Sequence, residues 1–366
     1  MKRLLLIIVI NMFLFSTNFA CAMVEEGSSS QDPKTVSRAL TWEFLKEGDV
    51  VEIIAPSGAP LKPGHIEATK SLIASHGLEP FLPEGAIDKE ASRHNYYANS
   101  DENRTKYFIE ALQGPSKALW ALRGGFGAIE VMEYFRRSAV PLPVHPKLII
   151  GFSDITALHL LAATWGWPSL HGPVIGLGEE LFSETQVNVN KSTKLSSVFS
   201  ILTGEVKELE HTFSVIHPGP LTLEMPISGS VMGGNLSIIE NQKGTPTTLQ
   251  GKGRFVFLED TPEDAKRFSR RLVGLLCAGI FDEAKGIIFG NNPITGFEGS
   301  SQTIDEINHF IQTFLLPRNI NIPVVYSPRF GHGEYNDVMP LGTIASLSIL
   351  GEQATLKVSV NESAYE

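Results

Sequence analysis

Ser153 stands where an apolar strand stops and a helix starts. Lys147 to Gly151 (KLIIG) reads as a short strand, Phe152-Ser153-Asp154 as a turn, and Ile155 to Trp165 carries leucine and alanine at helical spacing. A serine at such a joint has its hydroxyl raised above the sheet and the N–H groups of the new helix aimed towards it, the geometry an acyl-transfer nucleophile requires. The same position also suits a plain helix N-cap. A serine hydroxyl attacks only when a base takes its proton and a carboxylate orients that base. Of ten histidines, His332 stands out, in Arg329-Phe330-Gly331-His332-Gly333 just after the apolar run PVVY. His171, in an HGP triplet, is its nearest competitor, and His159 on the helix after Ser153 reads as a packing residue.

The carboxylate candidates are Glu259 and Asp260, which close the apolar run Phe257-Leu258. A carboxylate there can be held fixed and partly desolvated at a cleft, or it can merely end the strand and cap the next helix. Arg123 to Gly127 (RGGFG) follows another strand, and its paired glycines let the backbone approach a ligand closely and present N–H donors. That loop can complete an oxyanion hole with the Asp154 N–H, or be an ordinary glycine turn. It lacks the spacing and lysine of a phosphate cradle. There is no HExxH, no CxxC and no close cluster of ligand-type residues, so neither a metal nor a cofactor is expected.

These residues must be positioned by regular elements. From Asp49 onward, strand-like and helix-like segments alternate: Val50 to Ala55, Gly64 to His76, Glu79 to Leu82, Glu102 to Leu112, Lys117 to Leu122 and Ala128 to Arg137, then the strand and helix around Ser153. This rhythm predicts an α/β fold with a parallel sheet between two helix layers, and its functional loops at the carboxyl ends of the strands. PSGAP, RGGFG and GFSD all fall there. After about Glu179 the rhythm changes, and the serine-rich residues 181–204 read as a linker or variable loop. A second, mixed α/β domain is expected over 205–366, with Gly233-Gly234-Asn235 opening a helix, after the Ser153-bearing domain of 48–180.

A hydrophobic content of 42% with 19% charged residues describes a globular chain, and 366 residues suffice for two domains. Residues 1–22 read as a secretory signal peptide: Lys2-Arg3, an apolar run from Leu4 to Phe15, then Ala20-Cys21-Ala22. Cys21 raises a lipoprotein as the alternative, but Asn18-Phe19 fits such a signal poorly. Cleavage after Ala22 would leave a flexible lead-in over 23–47 and a single cysteine, Cys277, read as an inert core residue. The expected location is the periplasm or the exterior, without stable membrane insertion. The net charge of −10 becomes about −12 without Lys2 and Arg3, which argues against nucleic-acid binding.

ALRGGFG, LIIGFSDIT, HGP, SGSVMGGNLS, FLEDTPE and PRFGHGEYNDVMPLG, in that order, resemble the LD-carboxypeptidase and microcin-immunity serine peptidases. The likeness runs from about Gly48 to about Gly351. It implies a Ser153, Glu259, His332 triad, with backbone N–H groups of Asp154 and of Gly124 or Gly125 as oxyanion donors. It also implies a cleft between two domains and a homodimer. The activity it implies is hydrolysis of the amide bond to a C-terminal D-alanine in a murein tetrapeptide. The alternatives are cleavage of a peptide-nucleotide or aminoacyl antibiotic and, in another class, an exported binding protein without catalysis. An export signal is a departure, since murein-recycling members are usually cytoplasmic.

Overall fold

The parallel strands are β1 (Val50–Ile54), β2 (Glu79–Phe81), β3 (Ala118–Ala121), β4 (Leu148–Gly151) and β5 (Ser169–His171), ordered β5-β4-β3-β1-β2, with β1, β3 and β4 apolar runs and β2 a short exposed edge. Successive side chains of a strand face opposite ways, so a sheet covered on both sides needs apolar residues at every position. Ala118 and Trp120 of β3 join one core cluster, with Ile73 of α1 (His65–Ser75) and Phe199 of α5 (Val189–Leu202). Leu119 and Ala121 join another, with Phe108 of α2 (Asp101–Gln113), Val131 of α3 (Ala128–Arg137) and Leu158 of α4 (Thr156–Thr164). The expected three-layer arrangement is therefore present. The computed structural model describes residues 41–62, 64–143, 145–177, 189–220, 225–295 and 301–364. The signal-peptide expectation for 1–22 and most of the lead-in lie outside the described residues.

The second half contains β6 (Glu208–His217), β7 (Ile227–Asn235), α6 (Leu236–Asn241), β8 (Arg254–Glu259), β9 (Glu263–Asp264), α7 (Ala265–Cys277), β10 (Gly286–Phe289), β11 (Ile294–Thr295) and α8 (Ser301–Phe310). It continues with β12 (Val324–Tyr326), β13 (Met339–Leu341), β14 (Thr343–Leu350) and β15 (Gln353–Ser363). Seven of these strands close into a barrel in the order β10-β12-β6-β15-β14-β7-β8. Phe213, Val231, Phe255, Phe257, Leu258 and Phe289 are buried in one continuous core there. β13 leaves the barrel and pairs antiparallel with β5, with Met339 opposite His171, so the two halves share a sheet. Short mixed strands foretell neither the closure nor that crossing. Among the described residues, no helix is long and apolar enough to cross a membrane.

Three sequence expectations are corrected. Trp42 and Leu45, from the end of the supposed lead-in, are buried, and the Trp42 indole N–H donates to the Val360 carbonyl at 3.3 Å. Within the supposed linker, 189–202 is helix α5, whose Leu195, Val198, Phe199 and Leu202 are buried. Those apolar residues recur at helical spacing, but the intervening serines hide the stripe when composition alone is read. Cys277 is exposed at the end of α7 and is not a core residue.

Two buried polar residues fasten the loops at the carboxyl end of the first sheet. Arg104, on the inner side of α2, donates to the carbonyls of Pro56 and of Gly127, the latter at 2.9 Å. Its other nitrogen pairs with Asp101 at 2.6 Å and Glu130 at 2.9 Å, and the Tyr97 ring centroid lies 4.6 Å from its guanidinium carbon. One cation thus ties the loop after β1 to the loop after β3. Arg104→Met keeps the stem and removes these bonds, so it should cost about 3 kcal/mol of folding stability, measured by denaturant unfolding.

Candidate active site

The Ser153 joint is strained in a way its neighbours explain. β4 ends at Gly151 with φ 158°, Phe152 is extended, and Ser153 has φ 63°, a left-handed backbone that serine adopts at a cost of about 1–3 kcal/mol. A 3₁₀ turn over Ser153–Ile155 then leads into α4. Neither the turn nor α4 has a side-chain cap at its start. The Ser153 hydroxyl instead lies 2.9 Å from His332 Nε2. The cap alternative is therefore not what this side chain does.

Asp154 carries the mechanical load of the same turn. Its carboxylate is buried, and Oδ2 accepts from the Ser57 hydroxyl at 2.6 Å and from the Ala128 N–H at 2.8 Å. Burial pushes this carboxyl up from the usual range, against the opposing pull of those two bonds. The three expected loops PSGAP, RGGFG and GFSD thus meet at one side chain. Gly124 packs on Ser153: a Cβ there would lie 3.1 Å from Ser153 Cβ and 3.4 Å from Oγ. Gly125, with φ 112°, instead lies under the Tyr96 hydroxyl. Of the two glycines offered as oxyanion donors, only Gly124 is in contact with Ser153.

Glu259 is the last residue of β8 and is fully buried. Its Oε2 lies 2.7 Å from His332 Nδ1, and its Oε1 lies 3.4 Å from His171 Nε2. Burial alone would raise this carboxyl, but the hydrogen bonds and charge of the two imidazoles outweigh it and hold Glu259 down at about 2. It is therefore ionised at any working pH. For His332 burial works downward, and the bond to Glu259 with its negative charge wins, leaving the imidazole above its ordinary 6.5. Asp260 turns the other way. It accepts from Asn235 Nδ2 at 3.0 Å and Ser237 Oγ at 2.7 Å, and Arg271 lies 3.3 Å away. Asp264, not Asp260, caps α7.

The loop after β12 brings His332 to this carboxylate from a distance of 73 residues. The Arg329–Asp337 ion pair at 2.5 Å and the Gly331 N–H bond to Asn336 at 3.1 Å close the loop on itself. Gly331, with φ 94°, presses directly on Glu259, and a Cβ on Gly290 would lie 3.0 Å from the Glu259 Cβ. The ring of Phe152 stands 4.8 Å from that of His332. His159 is a buried packing residue as expected; its Nε2 lies 2.9 Å from the Gly151 carbonyl, and burial pushes it down to about 3. Among the described residues, no group of His, Cys, Asp and Glu side chains is arranged to hold a metal ion.

Sequence reading gives no role to Ser57 or Arg104, and offers His171 as a competing base rather than as the second partner of Glu259. Arg104 carried a signal, since it lies four residues before the buried Phe108 on one helix face. Ser57 carried none beyond its place in a loop after a strand.

An apposed serine, imidazole and ionised carboxylate can perform acyl transfer. Residues 51–172 match the model of the LD-carboxypeptidase N-terminal domain, and residues 228–347 that of the C-terminal domain. A carboxypeptidase-named protein of Rickettsia conorii is 33% identical over 244 residues, 66% of this chain and 71% of that one. The chain belongs to the LD-carboxypeptidase family. The murein tetrapeptide carboxypeptidase of Pseudomonas aeruginosa is 27% identical over 326 residues, 84% of this chain and 95% of that one. The solved microcin C7 self-immunity protein MccF shares the fold, with a TM-score of 0.70 at 17% identity over 87% of this chain and 98% of that one. Membership makes this LD-carboxypeptidase a serine-type hydrolase acting on peptides, and the alternative of a binding protein without catalysis falls away.

The room around Glu259 depends on glycine. Gly331→Ala places a Cβ against Oε2 at a positive φ, so it should cost at least about 1 kcal/mol of stability. His332, pushed off its carboxylate, should titrate nearer 6.5 by NMR.

Proposed function

We propose that this LD-carboxypeptidase releases the C-terminal D-alanine of a murein tetrapeptide, using Ser153 as nucleophile, His332 as base and Glu259 as the residue that orients it. The observation that carries this reading is the unbroken run from Ser153 Oγ through His332 to Glu259, 2.9 and 2.7 Å. Ser153 Oγ attacks the carbonyl carbon of the L,D amide while its proton passes to His332 Nε2. Backbone N–H groups of Asp154 and of Gly124 or Gly125 hold the resulting oxyanion, each contributing about 3 kcal/mol to lowering the barrier. The C–N bond then breaks, and His332 returns the proton to the amine of the departing D-alanine. Water, activated by the same imidazole, opens the acyl-serine and frees the tripeptide. Glu259 stays ionised throughout; it fixes the proton on Nδ1 and stabilises the imidazolium. The reaction would take place outside the cytoplasm if residues 1–22 act as the leader their sequence suggests.

The murein reading rests on the Pseudomonas relative, which aligns over nearly its whole length. Likeness to MccF favours the second reading, cleavage of an aminoacyl-nucleotide antibiotic, to the extent of a shared fold. Mass spectrometry of purified protein with defined tri-, tetra- and pentapeptide murein fragments, beside an aminoacyl-sulfamoyl adenosine, separates the two. D-Alanine release from the tetrapeptide alone is the expected result. Turnover of the adenosine compound alone would replace the murein reading with the second.

Ser153→Ala should reduce D-alanine release at least about 10⁴-fold without loss of fold, and retained turnover would sink the proposal. The pH dependence follows from the sign of the His332 shift. Neutral imidazole is the working base and its proton affinity is raised, so kcat/KM should fall with decreasing pH along a limb centred above 6.5. Glu259→Gln removes the charge that raises it. The variant should lose about 10⁴-fold in kcat and move the remaining limb to lower pH, read from full pH–rate profiles.

A further inference from the structure

We propose that His171 is a positioning residue for this reaction: it grips the second carboxylate oxygen of Glu259 and thereby limits how strongly Glu259 holds a proton on His332. The inference rests on the functional reading above but concerns a residue that reading leaves idle. His171 is the last residue of β5 and is fully buried. Its Nε2 lies 3.4 Å from Glu259 Oε1, and among the described residues its buried Nδ1 has no hydrogen-bond partner. The ring is walled by Phe257 at 5.0 Å, Phe152 at 6.1 Å and His159 at 6.2 Å between centroids. Its one polar engagement in this apolar box is therefore the carboxylate. An ionised carboxylate only accepts, so the imidazole proton belongs on Nε2. A buried imidazole with one nitrogen left unpaired is costly where only packing is needed, since a phenyl ring would fill the space without that cost.

The consequence for His332 follows from sharing. Glu259 offers Oε2 to His332 and Oε1 to His171, and each donor draws charge from the same group. Without the donor on Oε1, the carboxylate becomes more basic and keeps His332 protonated to higher pH. The other titratable groups facing this cluster have partners of their own, although the Asp260 charge also helps to raise His332. Asp260 is bonded to Asn235, Ser237 and Arg271, Asp154 to Ser57 and Ala128, and His159 to the Gly151 carbonyl. Removing His171 withdraws a donor from Glu259, and its other influence is on His159, which stays bonded to Gly151.

The test compares His171→Met, which fills the space without a donor, with His171→Gln, whose amide N–H can reach Oε1. Two measurements are made on the full chain: NMR titration of the His332 imidazole, and kcat/KM against pH on a murein tetrapeptide. In His171→Met both the titration and the acid limb should rise by about one pH unit, a roughly tenfold loss of activity on the acid side that alkaline pH restores. His171→Gln should return both to the wild-type position. An unmoved or lowered His332 titration in His171→Met, with only a loss of thermal stability, would make His171 a packing residue and overturn the proposal. If the methionine variant does not fold, His171→Asn, polar but too short to reach Oε1, takes its place. The titration needs no substrate. A wild-type protein inert towards murein peptides would thus defeat the functional reading while still deciding the role of His171.

Discussion

A carboxylate without solvent contact is the constraint around which the site is organised. Stripping water from an ionised Glu259 costs several kcal/mol, and only donors in good geometry can offset it. Two imidazoles do so, from β5 of the first sheet and from the loop after β12 of the barrel. Each brings a further demand. The loop must approach within contact of the carboxylate, which requires glycine at 331 and a small residue at 290. The aromatic rings of Phe152, Phe257 and Phe330 surround the pair and keep the local dielectric low, which strengthens the Glu259–His332 attraction. The same burial pulls the proton affinity of His332 down, so its raised value is the work of the Glu259 bond and charge against the packing.

On the opposite side of the serine the problem is strain. A left-handed Ser153 persists only if the surrounding structure over-determines it. Asp154 and Arg104 supply that restraint from beneath. The first ties the turn to Ser57 and to the start of α3; the second ties the loop after β1 to the loop after β3. Both are buried polar groups, so loosening either would leave uncompensated donors or acceptors in the interior. The same cost that makes them unfavourable in isolation makes the arrangement single-valued. Gly124 can then rest against Ser153, because the loop that carries it is tied down.

The parts of this organisation that were legible in the sequence are those with a periodic or punctuated signal. Strands β1, β3 and β4 read directly as apolar runs, and the loops at their carboxyl ends as glycine-rich interruptions. Ser153, Glu259 and His332 were each marked by their place at an element end. Helix α5 was misread because serines fill the turns between Leu195, Val198 and Leu202. Closure of the barrel and the passage of β13 into the first sheet depend on pairing between distant segments, which no local pattern encodes. His171 was visible only as a second candidate base. Its relation to Glu259, 88 residues away, comes from the fold.

The division between buried machinery and exposed rim bears on how one scaffold can serve different substrates. Every group in the run from Ser153 to Glu259 is fixed by backbone ends or by interior polar bonds, so variation there is costly. The rim is more exposed, although Arg123 donates to the Ala59 carbonyl at 3.0 Å. Phe126, in the middle of RGGFG, is 45% exposed, and Tyr96 over Gly125 is 37% exposed with the Arg123 guanidinium 5.5 Å from its ring. Substitution of Phe126 or Tyr96 bears on that exposed surface and not on the strained turn or the buried carboxylate. Ser153, His332 and Glu259 are held by the interior, whereas Phe126 and Tyr96 stand at the surface of the neighbouring loops.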